Sequence, residues 1–210
     1  FDFFKIMDMK ANLFLSTIFF LLLSACGGDI PSISKLPSDA SILAFGDSLT
    51  YGTGAKDDES YPMVLQELTG LKVINVGIPG EESKSGLSRL PEVLEQYKPQ
   101  LLILCHGGND LLRKKSITKM ESNIRNMIQL AKDKKIPVVM LGVPKPGLFL
   151  SSFEIYEKIA TSTGIIFIEN LISDVLGDDS LKSDAVHPNK GGYRVMAKTI
   201  HSVLKESGAI

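Results

Sequence analysis

The sequence beyond residue 40 predicts an α/β domain: a five-stranded parallel sheet with helices on both faces. Three observations carry this prediction, namely short apolar runs, helical periods between them, and a length of 210 residues that suits one domain of ~100–200 residues. The apolar runs are continuous rather than alternating, which is typical of strands buried on both faces. The predicted strands are Ile42–Phe45, Val73–Val76, Leu101–Cys105, Val138–Val143 and Ile165–Ile168.

Amphipathic helical periods separate these strands. Pairs of the type Ser/Thr-x-x-Glu, at Thr118–Glu121 and Ser151–Glu154, predict the first turns of two of the helices. Strands that alternate with helices favour a parallel sheet, because each parallel connection has to cross a face of the sheet. The apolar stripes consist of Leu87, Leu90, Val93, Leu94 and Tyr97, then Met120, Ile124, Met127, Ile128 and Ala131, and finally Tyr193, Met196, Ala197, Ile200, Val203 and Leu204.

The composition argues against nucleic-acid binding and against a metal centre. The chain has 23 Lys and Arg residues against 24 Asp and Glu, a formal net charge of −1, so the basic excess of a nucleic-acid-binding domain is missing. Two cysteines are too few for a disulfide scaffold or a cysteine-rich zinc site, and three histidines are few for a histidine-rich metal site. We therefore expect no nucleic-acid partner, no metal and no cofactor.

Residues 1–25 have the pattern of a signal peptide. An apolar run over Leu13–Leu23 follows Lys10. It falls short of the ~20 apolar residues that a membrane-spanning helix needs, and small residues follow it, as at a signal-peptide cleavage site. Met9 would begin a compact signal, so we expect residues 1–8 to precede the initiator. The alternative is a buried helix of the domain.

The end of this run resembles the lipobox of bacterial lipoproteins. Residues 23–26 are Leu-Ser-Ala-Cys, and in a lipobox the cleavage site lies directly before the cysteine, whose sulfur receives a diacylglyceryl group. The resemblance predicts that Cys26 carries a lipid anchor, that residues 26–40 form a tether, and that residues 41–210 form the domain. The protein would then be exported and membrane-anchored, facing the periplasm or the cell surface. The alternative is plain secretory cleavage after Ala25.

Four loops should hold the chemistry, because parallel sheets bind ligands at the carboxyl ends of their strands. Three of them follow the first three strands, and the fourth precedes the last helix. They are Gly46–Leu49, Gly77–Gly80, Gly107–Asp110 and Asp184–Pro188.

These loops supply each group that acyl transfer needs. Ser48 is the candidate nucleophile and His187 the candidate base, with Asp184 three residues earlier to orient the imidazole. The candidate oxyanion donors are the backbone N–H groups of Ser48 and Gly80 and the side-chain amide of Asn109. Of the remaining candidates, we expect Cys105 to be a buried thiol without a disulfide, His106 to pack behind the site, and His201 to lie at the surface.

The four loops resemble, in order, the conserved blocks of the GDSL or SGNH hydrolases. The likeness extends over residues 41–205 and is greatest to the branch of bacterial thioesterase I, lysophospholipase L1 and arylesterases. It implies a flavodoxin-like three-layer α/β/α fold, no metal, and hydrolysis of carboxylic esters through a serine acyl-enzyme. Small acyl esters or lipids are the substrates it implies. The lipobox and His106 depart from that branch.

Other functions remain open at this point. A carbohydrate O-acetylesterase would use the same groups, and a non-catalytic surface lipoprotein could share the fold. A metallophosphoesterase would use Asp47 and Asp110, but it needs more histidines than these loops contain. Apolar residues in the loop Pro144–Phe153 predict that this loop forms a wall of an acyl pocket.

Overall fold

The computed structural model describes residues 30–145 and 152–210, and the domain spans Pro31–Ile210. The predicted signal peptide, its cleavage site and Cys26 lie outside the described residues. Among the described residues, no helix is both long enough and apolar enough to cross a membrane.

Five strands form one parallel sheet in the order β2-β1-β3-β4-β5. The five predicted strands are confirmed, with ends that shift by at most two residues. The order reverses direction between β1 and β3, which is the switch point where flavodoxin-like sheets bind their ligands. The strands are β1 Ser41–Gly46, β2 Lys72–Asn75, β3 Leu101–Cys105, β4 Val138–Leu141 and β5 Ile166–Ile168.

Helices cover both faces of the sheet. On one side α2 packs against α8, which also contacts α7; on the other α5 packs against α3 and α6. The apolar stripes predicted for these helices are largely buried in the core. The helices are α1 Ser48–Tyr51, α2 Tyr61–Thr69, α3 Ser83–Tyr97, α4 Gly108–Leu112, α5 Ile117–Asp133, α6 Ile155–Thr163, α7 Leu171–Gly177 and α8 Lys190–Glu206, with 3₁₀ turns at Asp57–Glu59 and Asp179–Leu181.

Both predicted capping boxes are wrong. Helix α5 begins after Ser116, whose hydroxyl oxygen accepts the Lys119 N–H, so Thr118 already lies inside the helix. A tight turn after α4 sets this start, because the Lys115 N–H donates to the Asp110 carbonyl and leaves Ser116 extended. Helix α6 begins one residue after Glu154, which is its N-cap rather than its third residue.

Part of the predicted tether packs on the domain. The backbone N–H of Ile33 donates to the Ser207 carbonyl and that of Leu36 to the Ala209 carbonyl, both at 2.8 Å. Both side chains are half-buried against the core. Because α8 runs antiparallel to the strands, its end at Ser207 lies at the amino edge of the sheet, opposite the catalytic loops. The chain therefore enters the domain far from the predicted site.

Lys135 offers a test of the local backbone energetics. It follows α5 with φ +59°, and bonds from Lys135 and Ile136 to the carbonyls of Lys132 and Ala131 close the helix. A residue with a side chain is strained by ~1–2 kcal/mol in this left-handed conformation, and glycine is not. Glycine has more conformational freedom in the unfolded chain, which offsets ~0.5–1 kcal/mol of that advantage. We expect Lys135→Gly to raise the free energy of unfolding in urea by about 0.5–1 kcal/mol. Lys135→Ala, which keeps the strain, should give no gain; an equal gain would refute the explanation.

Candidate active site

The carboxyl edge of the sheet brings the predicted loops together. In the parallel register, Gly46 at the end of β1 pairs with Cys105 at the end of β3, and Ala44 pairs with Asn75 of β2. The loop that contains Ser48 therefore emerges between the loops that contain Gly80 and Asn109. Ser48 is the first residue of α1, directly after its N-cap, Asp47.

Ser48, His187 and Asp184 form a continuous hydrogen-bonded chain. His187 Nε2 lies 3.0 Å from Ser48 Oγ, and His187 Nδ1 lies 2.8 Å from Asp184 Oδ2. A carboxylate only accepts hydrogen bonds, so Nδ1 carries the proton and Nε2 presents a lone pair to the hydroxyl of Ser48. The geometry is that of a nucleophile, a base and a group that orients the base.

Backbone donors hold Asp184 in its ionised form. Its Oδ1 accepts the N–H groups of Val186 at 2.8 Å and His187 at 2.9 Å. Partial burial acts to raise the pKa of Asp184, but these bonds and the nearby imidazole outweigh it, and the net shift is downward. The carboxylate can therefore fix the imidazole tautomer throughout the neutral range.

Asp47 orients the amide of Asn109. The Asn109 amide donates to Asp47 Oδ2 at 3.1 Å, and Asp47 Oδ1 accepts the Leu49 N–H at 3.1 Å. One of the two amide hydrogens of Asn109 is thereby used, and the second remains for a ligand. Asp47 is 2% exposed, and burial raises its pKa despite the opposing effects of His106 and of these donors.

Gly80 has a left-handed backbone that a side chain would strain. Its φ is +78°. The Gly80 carbonyl accepts a hydrogen bond from Arg113 Nη1 at 2.9 Å, and Arg113 also pairs with Glu82 at 2.9 Å. This contact fixes the peptide plane beside the candidate donor N–H. Gly80, Asn109, Ser48 and His187 all line one cavity.

That cavity has a volume of about 260 Å³ and mainly apolar walls. Of the loop predicted to form a wall of the acyl pocket, Pro144 lines this cavity and Phe153 packs against the core, whereas residues 146–151 lie outside the described residues. Sequence reasoning missed Ile172 and Leu176 of α7, although their spacing of four marked an apolar helical face. The apolar lining consists of Leu49, Pro79, Leu112, Val143, Pro144, Ile172, Leu176 and Val186.

The remaining candidates lie outside this cavity. Cys105 is a buried free thiol. His106 is also buried and bonds to Glu81 behind the site, as its packing interpretation predicts. His201 on α8 is partly buried rather than fully at the surface. Within residues 30–145 and 152–210, no group of three or more His, Cys, Asp or Glu side chains is arranged to hold a metal ion.

Comparison with known proteins gives the family. The model of the GDSL-like lipase/acylhydrolase family matches residues 44–195. The chain belongs to that family. It is 26% identical over 196 residues to esterase TesA of Pseudomonas aeruginosa, a match that covers 88% of this chain and 97% of TesA. It is 30% identical over 188 residues to an arylesterase of Vibrio mimicus, covering 83% of this chain and 88% of that enzyme.

Solved structures show the same fold. The psychrotrophic esterase EstA from Pseudoalteromonas sp. superposes with a TM-score of 0.71 at 26% identity, over 80% of this chain and 98% of EstA. The three-layer α/β/α fold implied by the sequence is thus confirmed. With the family and these relatives, the protein is a serine hydrolase that acts on ester bonds.

The raised pKa of Asp47 predicts a pH-dependent effect of Asp47→Asn on stability. Folding favours protonated Asp47, so its contribution is complete below the unfolded-state pKa of ~3.9 and is lost as pH rises through the folded-state pKa. Asparagine does not ionise. The difference in unfolding free energy between variant and parent should therefore move in favour of the variant between about pH 4 and about pH 7. Urea unfolding at both values measures this, and a difference independent of pH would contradict it.

Proposed function

We propose that the protein hydrolyses neutral acyl esters by a two-step mechanism with Ser48 as nucleophile. Ser48 Oγ attacks the carbonyl carbon while His187 Nε2 takes the hydroxyl proton. The tetrahedral intermediate then collapses, the C–O bond to the alcohol breaks, and His187 protonates the departing alcohol. A water molecule, deprotonated by His187, hydrolyses the acyl-enzyme and regenerates Ser48.

The observation that carries this proposal is the hydrogen-bonded chain at the edge of the cavity. Ser48 Oγ lies at 3.0 Å from a base whose other nitrogen is bound to Asp184 at 2.8 Å. Ser48, Gly80 and Asn109 line the same cavity. Their two backbone N–H groups and the second amide hydrogen of Asn109 are the donors we propose for the oxyanion. The first proton transfer, from Ser48 Oγ to His187 Nε2, then occurs within hydrogen-bond distance.

The walls of the cavity favour an acyl chain without charge. Its lining contains no lysine or arginine among the described residues, and its volume lies just below the ~300–1,000 Å³ typical of pockets for drug-sized ligands. Short and medium acyl chains fit such a space. A carbohydrate O-acetylesterase would need polar groups for sugar hydroxyls, and the apolar lining disfavours this alternative.

We further propose that the mature protein is exported and anchored through a lipid on Cys26. The lipobox-like residues 23–26 support this. Since Ile33 is bound to the domain, the free tether would comprise residues 27–32, with a reach of about 20 Å when extended. The tether would join the domain at the sheet edge opposite the site, so the site stays accessible to esters in solution. Soluble esters are then the expected substrates.

Substitutions at the site should remove turnover without unfolding the protein. Ser48→Ala and His187→Ala should each abolish nearly all hydrolysis of p-nitrophenyl butyrate, and the double variant should be no worse than either, because the two groups act in one step. Asn109→Ala should lower kcat by about 10²–10³-fold, the usual loss for one oxyanion donor.

Ser88→Ala is the matched control, since Ser88 lies on the exposed face of α3. It should retain full kcat, and all variants should keep melting temperatures close to that of the parent. If Ser48→Ala retained more than a small percentage of the parental rate in a preparation free of other esterases, the proposed nucleophile would be wrong. A normal kcat for Asn109→Ala would remove that residue from the oxyanion hole.

Acyl-chain length tests the cavity. Each buried methylene contributes ~0.8 kcal/mol, about fourfold in kcat/KM. From p-nitrophenyl acetate upwards, kcat/KM should rise severalfold per added methylene and then level off once the acyl chain fills the cavity. Leu176→Trp narrows the cavity, so in this variant kcat/KM should level off at a shorter acyl chain. Strict preference for acetate, with no turnover of the octanoate ester, would count against the cavity as the acyl site.

Fractionation of cells tests the anchor. Cys26→Ser should move the protein from the membrane to the soluble fraction. The kcat of this variant on soluble esters should stay unchanged, because the proposed tether joins the domain at the edge opposite the site. If Cys26→Ser remained wholly with the membranes, a lipid on this cysteine would not be the anchor.

A further inference from the structure

A buried ion-pair network lies directly behind the candidate oxyanion hole. Arg89 of α3 binds Glu81 through two bonds, from Nε to Oε1 and from Nη2 to Oε2, both at 2.7 Å. His106 Nε2 lies 3.1 Å from the same Oε2. The side chains of Glu81 and His106 are 5% and 0% exposed, and that of Arg89 is 20% exposed.

Arg89 also binds the ends of two strands. Its Nη2 donates to the Val76 carbonyl at 2.9 Å, just after β2, and more weakly to the Gly46 carbonyl at 3.4 Å, the last residue of β1. The guanidinium stacks over the ring of Phe45 at 4.0 Å. One side chain thus contacts the loop before Ser48 and the loop that leads to Gly80.

His106 extends the network to the third loop. Its Nδ1 accepts the N–H of Gly107, so Nε2 carries the hydrogen and donates to Glu81. The His106 carbonyl accepts a hydrogen bond from the Tyr156 hydroxyl at 2.9 Å. Helix α3 approaches the ring closely because Gly86 has no side chain, and a Cβ there would overlap the imidazole.

We propose that Arg89, Glu81 and His106 are positioning residues that hold the three oxyanion donors in their relative places. The proposal rests on the roles assigned above to Ser48, Gly80 and Asn109. Glu81 directly follows Gly80, Gly46 lies two residues before Ser48, and His106 lies three residues before Asn109. The network therefore contacts each of the three loops behind its donor.

Stability alone does not explain a charged network at this place. Well-packed apolar residues are often as stabilising as a buried ion pair, because removing two charges from water offsets their attraction. An apolar cluster, however, cannot fix the orientation of the groups around it, because apolar contacts are not directional. The planar fork of Arg89 fixes the carboxylate of Glu81 and the Val76 carbonyl at defined angles, and its longer contact keeps the Gly46 carbonyl beside them. In support, hydrogen bonds from His106 and Arg89 overcome the effect of burial and lower the pKa of Glu81, which keeps it ionised.

The test separates positioning from folding by removing the charge of Arg89 alone and then together with that of Glu81. Arg89→Met should lower the melting temperature, because Glu81 stays buried without its cation, whereas Arg89→Met with Glu81→Gln should recover much of that loss. In both variants kcat on p-nitrophenyl butyrate should fall about 10–100-fold, with KM within about threefold, because donors displaced by fractions of an ångström stabilise the transition state poorly. Arg89→Lys, which keeps the charge but loses the fork, should recover stability more than kcat.

Arg125→Met with Glu121→Gln is the matched control. Arg125 pairs with Glu121 at 2.7 Å on α5 and bonds to Ser162, and it contacts none of the three loops. Its loss should leave kcat unchanged. The pH profile of kcat/KM should also stay the same in the Arg89 variants, because the base His187 is not part of the network.

Two results would overturn the proposal. One is a kcat that recovers in step with the melting temperature in the Arg89→Met, Glu81→Gln double variant, which would show a purely structural role. The other is a parental kcat in all three network variants. Residual activity in Ser48→Ala would instead refute the catalytic assignment itself, so the two failures are distinguishable.

Discussion

The parallel register between β1 and β3 determines where the groups of the site lie. Gly46 pairs with Cys105 at the ends of these strands, so the backbones that carry Ser48 and Asn109 leave the sheet side by side. Both strands are almost entirely buried, and a slip by one residue would turn each side chain to the opposite face and disrupt its packing. The core thus fixes the distance between the nucleophile and an oxyanion donor, although no core residue takes part in the chemistry.

The sheet places the catalytic loops, and hydrogen-bond partners then orient the individual groups within them. Asp47 turns the amide of Asn109, Asp184 fixes the imidazole of His187, and Arg113 holds the Gly80 peptide. In each case a polar side chain holds a residue that lines the cavity. Charge-assisted hydrogen bonds are roughly twice as strong as neutral ones, and they are more directional than apolar contacts. Catalysis by fixed dipoles depends on such orientation before the substrate arrives.

The sequence predicted most of the fold and the site, for identifiable reasons. Parallel strands that are buried on both faces appear in the sequence as continuous apolar runs. The loops that contain Ser48 and His187 are short, and their residue types indicate a nucleophile and a base. Nothing in the sequence indicates the contacts of Arg89 with Glu81, because an arginine on a helix is usually solvated. Only the packing of α3 against the sheet brings Arg89 to the ends of β1 and β2. The capping box at Thr118 failed because the tight turn after α4 makes Ser116 the N-cap of α5, two residues earlier than the pattern predicted. Ile33 and Leu36 looked like tether residues, since two apolar side chains do not reveal a docked segment.

A structure of the enzyme after reaction with an alkyl fluorophosphonate tests the central claim most directly. The adduct mimics the tetrahedral intermediate of ester hydrolysis. We predict a covalent bond from phosphorus to Ser48 Oγ, with the phosphoryl oxygen ~2.7–3.1 Å from the N–H of Gly80 and from the amide nitrogen of Asn109. The alkyl chain should lie along Leu112 and Leu176. Labelling of another residue, or a phosphoryl oxygen turned away from Gly80 and Asn109, would contradict the account.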